Sequence, residues 1–345
     1  MKKTHYPRTL SVVLSLLFAF PFLLKAQDIH WTQFNNAPLH INPALTGVYN
    51  GDIRFAGNLR RQWFTVPVSY ATFSGAFDTK IYNKQLEKSQ FAVGMLFSHD
   101  QAGDGRLRMA QLGLSGSFLQ QIGNGHYLSL GGMLGGAQRT YDSNNLNFDD
   151  QFNGKTFDPG LTTQEPLLRY DDNILFGDLS GGVNYHYKAT EKRTRLDVGL
   201  GAFHLNRPDR SFREESKAPC PIRYSIYGMG QLPVSNNLDL VLQAVGQYQG
   251  PHREAVIGAG INIHLNQNLD KEFSIQPGAY YRFNEDAFSP YIGARYRMWN
   301  FGFSYDVNTS GFTRATNQVG GPEFSISYII TTVKPLRTRI CPIYL

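Results

Sequence analysis

Charge is scarce in this 345-residue chain: Asp, Glu, Lys and Arg make up 17% of it, against roughly 25% in an ordinary soluble protein. The formal balance is +6, but Lys2, Lys3, Arg8 and Lys25 lie in the first 26 residues with no acid among them, and subtracting those four leaves +2 for the remainder. So weak a positive balance excludes nucleic acid as the expected partner. No apolar run after Leu24 approaches the length of a membrane-spanning helix. There are two cysteines, Cys220 and Cys341, without a Cys-x-x-Cys, and the nine histidines include no His-Glu-x-x-His. The spacings that announce a zinc site are therefore missing.

Catalytic signatures are equally thin. Gly113-Leu114-Ser115-Gly116-Ser117 approaches a nucleophile elbow but lacks its last glycine and falls in a strand pattern. Gly199 and Gly201 are followed by His204 where a dinucleotide fingerprint needs glycine. In the turn Asp100–Gly105, Ala102 stands where a calcium loop needs an oxygen ligand. The pairs Asp149, Asp150 and Asp171, Asp172 read as solvated loop charge. No catalytic, cofactor-binding or metal-binding residue is assigned, and the chain is not expected to be an enzyme.

What is present begins with a basic n-region, Lys2, Lys3 and Arg8, before the apolar stretch Leu10–Leu24 and the small residue Ala26. That order reads as a cleavable signal peptide over 1–26, with the cut ahead of Gln27. From Ile53 onward the pattern changes to period two. Phe55, Gly57 and Leu59 share one face while Arg54, Asn58 and Arg60 share the other; Ile257, Ala259 and Ile261 alternate with Gly258, Gly260 and Asn262. About fourteen such segments, from 52–63 to 322–330, are separated by turn chemistry. One face is apolar and the other small and polar, as in a membrane barrel, where a soluble sandwich would expose Lys and Glu. Trp63, Tyr70, Tyr127, Tyr187, Tyr248 and Trp299 fall near segment ends, where an interfacial girdle sits.

The expected fold is therefore all-β: a transmembrane antiparallel up-and-down barrel of about 14 strands over 52–330. A lead-in at 27–51, periplasmic or luminal, precedes it, and a tail at 331–345 follows. With the N-terminus periplasmic, the long connections 139–175, 206–221 and 309–321 all face outward. The lead-in looks too short for the N-terminal plug of fatty-acid-transporter barrels. Cys220 and Cys341 fall at opposite ends of the barrel, separated by an apolar band about 25 Å tall, so no disulfide is expected between them.

Several motifs, in order, are shared with one known group. They are Gln33–Asn50 containing Asn42-Pro43-Ala44-Leu45-Thr46-Gly47; Arg60-Arg61-Gln62-Trp63, then Pro67 and Thr72-Phe73-Ser74-Gly75; and Asp100–Gly105. Phe148-Asp149-Asp150-Gln151, Phe157-Asp158-Pro159, His204 with Asn206 and Pro208, and the terminal Cys341-Pro342 continue the series. Together they resemble the PorP/SprF family of type IX secretion-system membrane proteins. The ending Ile343-Tyr344-Leu345 departs from the basic residue and final Phe common in relatives.

The resemblance implies a Bacteroidetes outer membrane and a part in protein export across it. The implied partners are the periplasmic ring, a peptidoglycan-binding lipoprotein and the C-terminal domain of an exported surface protein such as a gliding adhesin, besides outer-membrane lipid. Asn42, Pro43, Gly47, Arg60, Gln62, Trp63, Asp158, Pro159, Cys341 and Pro342 are the family-motif positions, with a partner-binding or a structural role. Asn42-Pro43 reads first as a turn, and Arg60 as an arginine paired with lumen acids. The rival reading is a porin-like or fatty-acid-transporter-like channel for small molecules.

Overall fold

The computed structural model describes residues 28–62, 70–82, 88–103, 106–142, 148–158, 160–161, 163, 172–189, 192–213, 216–268, 271–283, 287–309 and 319–331. The expected signal peptide and all of the C-terminal tail beyond Thr331 lie outside these described residues. So do Trp63, Pro159, Cys341 and Pro342.

Fourteen strands form: β1 (Ile53–Gln62), β2 (Tyr70–Ile81), β3 (Ser89–Ala102), β4 (Leu107–Gly123), β5 (His126–Thr140), β6 (Asn173–Lys188), β7 (Arg195–Phe203), β8 (Arg223–Pro233), β9 (Leu238–Gln249), β10 (His252–Asn266), β11 (Phe273–Phe283), β12 (Ala287–Tyr296), β13 (Trp299–Asn308) and β14 (Val319–Ile330). Each pairs antiparallel with its sequence neighbour, and β1 closes on β14 in a register running from Ile53↔Ile330 to Arg60↔Glu323. Closure leaves no sheet edge, which backbone in lipid requires.

Period-two alternation places the faces. On β1, Phe55 and Leu59 are exposed while Asn58 and Arg60 are buried; on β3, Phe91, Val93, Met95 and Phe97 point out while Ala92, Leu96 and Ser98 point in. Leu112, Leu114, Leu130, Leu134 and Leu179 continue the apolar exterior across β4, β5 and β6. An apolar belt of this extent is a membrane-facing surface. Trp299, itself exposed, packs on Tyr328 with ring centroids 4.4 Å apart, near the ends of its strands.

Turn chemistry sets the two ends. β4 and β5 are joined by Asn124-Gly125, with Gly125 at φ +76, where glycine avoids the strain of a left-handed conformation. That end also holds the connections 234–237 and 297–298. The opposite end carries 141–172, 204–222 and 309–318. One end thus has mostly short connections and the other mostly long ones, although 250–251 on the long-loop end has two residues and 82–88 on the other has seven.

Strand lengths differ from expectation where polarity stops alternating. β3 runs to Ala102, past the expected 99, because the ladder continues through Asp100↔Met109 to Ala102↔Leu107. Its side chains there need not be apolar. β7 stops at Phe203 because His204 turns to φ +59.

Residues 28–50 do not lie beneath the barrel; most of this segment fills it. A 3-10 turn (Phe34–Asn36), one helical turn (Pro38–Ile41) and a second 3-10 turn (Pro43–Leu45) pack into the lumen. Phe34, Ile41 and Leu45 meet Tyr227, Val245, Val256, Tyr280 and Tyr291 in one apolar cluster. The expectation that this lead-in is too short for a plug is therefore corrected. A few compact turns suffice because the inward side chains of the opposite wall are mostly glycine and serine.

Membrane depth gives a direct check. Replacing Leu134, mid-strand on β5, by Arg is expected to lower unfolding free energy by about 2–4 kcal/mol, and replacing Leu175, near a strand end on β6, by no more than about 1. Denaturant titration in lipid vesicles reads both, and equal losses would contradict this placement of the belt.

Candidate functional site

The plugged lumen is the candidate site, and its centre is the segment Asn42–Gly47. Asn42 is wholly buried. Its Oδ1 accepts from the Ala44 amide at 2.9 Å, which caps the second 3-10 turn. Its Nδ2 donates to the carbonyls of Val183 (2.9 Å) and Leu200 (3.2 Å) and to the Tyr227 hydroxyl (3.1 Å). Pro43 opens the turn with its fixed φ. The wall opposite has no side chain at Gly131, Gly182 or Gly201. A Cβ on Gly131 would lie 2.6 Å from the Pro43 carbonyl, and on Gly182 or Gly201 it would overlap Asn42 or the Ile41 carbonyl. Ser129 Oγ donates to the Ala44 carbonyl and Ser117 Oγ to that of Thr46, both at 2.6 Å. Gly47, at φ +76, donates its amide to Asp78 Oδ2 at 2.7 Å, and Arg54 grips the same carboxylate at 2.8 Å through Nε and Nη2.

Towards the long-loop end, buried charges hold the first 3-10 turn. Glu323 accepts from the Thr32 amide (2.9 Å) and the Gln33 amide (2.7 Å), one on each carboxylate oxygen. Arg60 donates to the His30 carbonyl at 2.9 Å and pairs with Asp306 at 2.8 Å and Glu323 at 3.8 Å. Asp306 also accepts from Ser289 (2.7 Å) and faces Arg282 (3.3 Å), which in turn meets Glu254 at 3.2 Å.

Asp28, the first described residue, lies at the long-loop mouth. His204 Nδ1 lies 2.8 Å from Asp178, and its Nε2 meets Asp28. Arg210 Nη1 donates to Asp28 at 3.0 Å and Arg223 Nε lies 3.6 Å from it. Burial pushes the Asp28 carboxyl up, but the bond and charge of His204 with the charges of Arg210 and Arg223 outweigh it and hold it well below the usual range. Burial likewise pushes His204 down, yet its bonds to Asp178 and Asp28 leave it raised. Two carboxylates on two ring nitrogens favour the imidazolium.

The motif positions thus divide. Asn42, Pro43, Gly47 and Arg60 come together around the lumen. Gln62 ends β1 opposite Tyr70, away from the plug. Asp158 is exposed in the β5–β6 connection, where its Oδ1 accepts from the Gly160 amide at 2.9 Å. Asp28, Asp306, Glu323, Arg282 and the wall glycines were not singled out as site residues from sequence. For all but Asp28, which is on no strand, the one signal was charge or glycine on the inward parity of a strand.

These features define a class, the transmembrane β-barrel closed by its own N-terminal segment. Within that class the chain belongs to the PorP/SprF family: the profile of type IX secretion system membrane protein PorP/SprF matches residues 23–328. No curated protein matches the chain. Among solved structures it is similar to the toluene transporter TbuX of Ralstonia pickettii (TM-score 0.50, 12% identity, 85% of this chain and 92% of that one). It is similar also to the CymD monoaromatic hydrocarbon channel (TM-score 0.50, 11% identity, 86% and 93%). At these identities the likeness is one of fold.

Two substitutions test the plug. Arg60→Met leaves Asp306 and Glu323 short of a buried counter-charge and is expected to lower unfolding free energy by about 3–5 kcal/mol. A loss under about 1 in urea titrations followed by gel mobility would refute the role given to these pairs. Gly182→Val forces a side chain into Asn42 and is expected to cost about 1–3 kcal/mol. It should also make residues 28–46 cleavable by protease in an intact barrel, and continued protection would argue against the close approach.

Proposed function

We propose that this protein is an outer-membrane component of the type IX secretion system that binds and anchors, and that it catalyses no reaction. The observation that carries this reading is the filled lumen: a barrel stoppered by its own N-terminal segment serves as a rigid platform, not an open pore. After removal of residues 1–26 the barrel sits with its long-loop end outside the cell and its short turns in the periplasm.

The partners follow from the two ends. Connections 141–172 and 204–222 form the outer recognition surface for the C-terminal domain of an exported surface protein, a gliding adhesin among the candidates. The two connections meet where the Tyr141 and Phe212 rings pack edge to face with centroids 4.8 Å apart, and Arg139 at the end of β5 donates to the Arg210 carbonyl at 2.9 Å. Beyond this tie, Phe152 and Phe157 pair in an isolated bridge with both rings exposed. Loops held by a rigid scaffold suit variable recognition. The periplasmic turns face the ring and the peptidoglycan-binding lipoprotein.

The test is a mild-detergent pull-down of the tagged protein from outer membranes, followed by mass spectrometry. Recovery of secretion subunits or an exported C-terminal domain is expected, with loss of the exported domain when 144–165 are deleted; a solitary barrel would overturn the reading. Planar-bilayer recording separates the channel alternative. The intact protein should pass no steady current, and a variant lacking 28–46 should; conductance by the intact protein would favour a transporter.

A further inference from the structure

Asp28, from the lead-in, meets His204 and Cys220, from the two ends of the β7–β8 connection, at the long-loop mouth of the lumen. All three are buried, 8%, 3% and 3% exposed. One ligand-type atom of each, a carboxylate oxygen, an imidazole nitrogen and Sγ, lies within 4.8 Å of both others. From the geometry of these three groups we infer a binding site for a divalent transition metal of the zinc type, formed by Asp28, His204 and Cys220, which staples the plug at Asp28 to the β7–β8 connection.

The surroundings of each donor match what a metal requires of its ligands. A coordinating histidine gives its second ring nitrogen to a carboxylate, which fixes the ring and raises its basicity. His204 Nδ1 faces Asp178 at 2.8 Å while Nε2 points at Asp28. A thiolate ligand is steadied by an N–H donor, and Gln249 Nε2 lies 3.6 Å from Cys220 Sγ. The same Gln249 accepts the Asp28 amide through Oε1 at 3.2 Å, so one side chain positions two of the three donors. Arg210 Nη1 holds the other oxygen of Asp28 at 3.0 Å, while its Nη2 lies 3.2 Å from His204 Nε2 and Arg223 Nε 3.6 Å from Asp28 Oδ2, so an ion would displace these two guanidinium contacts. His204 is held at φ +59 by a turn in which the Arg207 amide donates to its carbonyl at 2.9 Å, so the ring cannot swing away with an ordinary loop.

The donor set also selects the ion. Sulfur, imidazole nitrogen and one carboxylate oxygen suit zinc or a similar ion, and calcium or magnesium would need oxygen throughout. Bonds of 2.0–2.3 Å place tetrahedral ligands about 3.5 Å apart, so Asp28 Oδ2 and His204 Nε2, which here touch directly, must part to admit the ion. Three protein ligands leave a fourth position for water. Arg210 and Arg223 would oppose an added cation, but the charge balances. The ion's two charges replace one proton from the His204 imidazolium and one from the Cys220 thiol, so the net charge beside the guanidiniums is unchanged.

The experiment uses the full-length protein purified from outer membranes, dialysed against Zn2+ and then against metal-free buffer, with zinc counted per chain. About one zinc is expected in the wild type and less than a tenth of that in Cys220→Ala and His204→Gln. Cobalt supplies a second readout on the wild type alone: loading with Co2+ should produce a thiolate-to-cobalt charge-transfer band in the near ultraviolet. No retained zinc together with no such band would overturn the site, as would equal zinc in the wild type and both folded variants, which marks an adventitious ion only.

Discussion

Most amides and carbonyls in residues 28–48 sit inside a wall whose own backbone is already paired strand to strand, so they must find partners among inward side chains or within the segment's own short turns. Buried backbone polar groups left alone are costly. That requirement explains an interior made of serine, asparagine and paired charges. Ser117 and Ser129 serve the carbonyls of Thr46 and Ala44, Glu323 serves two amides, and Arg60 and Arg223 serve the carbonyls of His30 and His40. The plug has little regular structure because the barrel supplies what a longer helix would have supplied internally.

Close approach is the second condition, and it divides the lumen in two. Where the plug turns through Asn42–Ala44, the wall is reduced to glycine on β5, β6 and β7, and side-chain-free backbone lets Asn42 reach the carbonyls of Val183 and Leu200. On the far side, Tyr227, Val245, Val256, Tyr280 and Tyr291 supply bulk against Phe34, Ile41 and Leu45. Small residues on one wall and large ones on the other hold the segment off-centre and in one register. The ion pairs between these regions add specificity more than net stability, since desolvation cancels much of their attraction.

A barrel filled in this way presents two unlike ends. The short-turn end receives the chain as it leaves the plug at Gly47 and enters β1, with Asp78 and Arg54 locking the corner. At the long-loop end, Asp28 of the plug, the loop residues His204 and Arg210, and β6 through Asp178 share one buried network. The long loops are therefore linked, through a few side chains, to the segment that closes the lumen. That arrangement suits a membrane component of a secretion system.

Sequence alone determined the strand number, the lipid-facing and inward-facing residues and the end with long loops. Each of these follows from side chains alternating every second residue and from local turn chemistry, as at Phe55 against Asn58 or Asn124-Gly125. It also carried the family motifs, but not what they do. Asn42 and Gly47 read as a turn and are one, yet their partners lie 141 residues away in Val183 and 31 away in Asp78. Gln33 bonds Glu323 across 290 residues, and no spacing rule reaches that far. Only the closed barrel decided that a short lead-in becomes a plug, because closure alone brings strands from both ends of the chain around one axis. The extra length of β3 was hidden for the complementary reason: beyond the lipid, hydrogen bonding continues while the pressure on side-chain polarity ends.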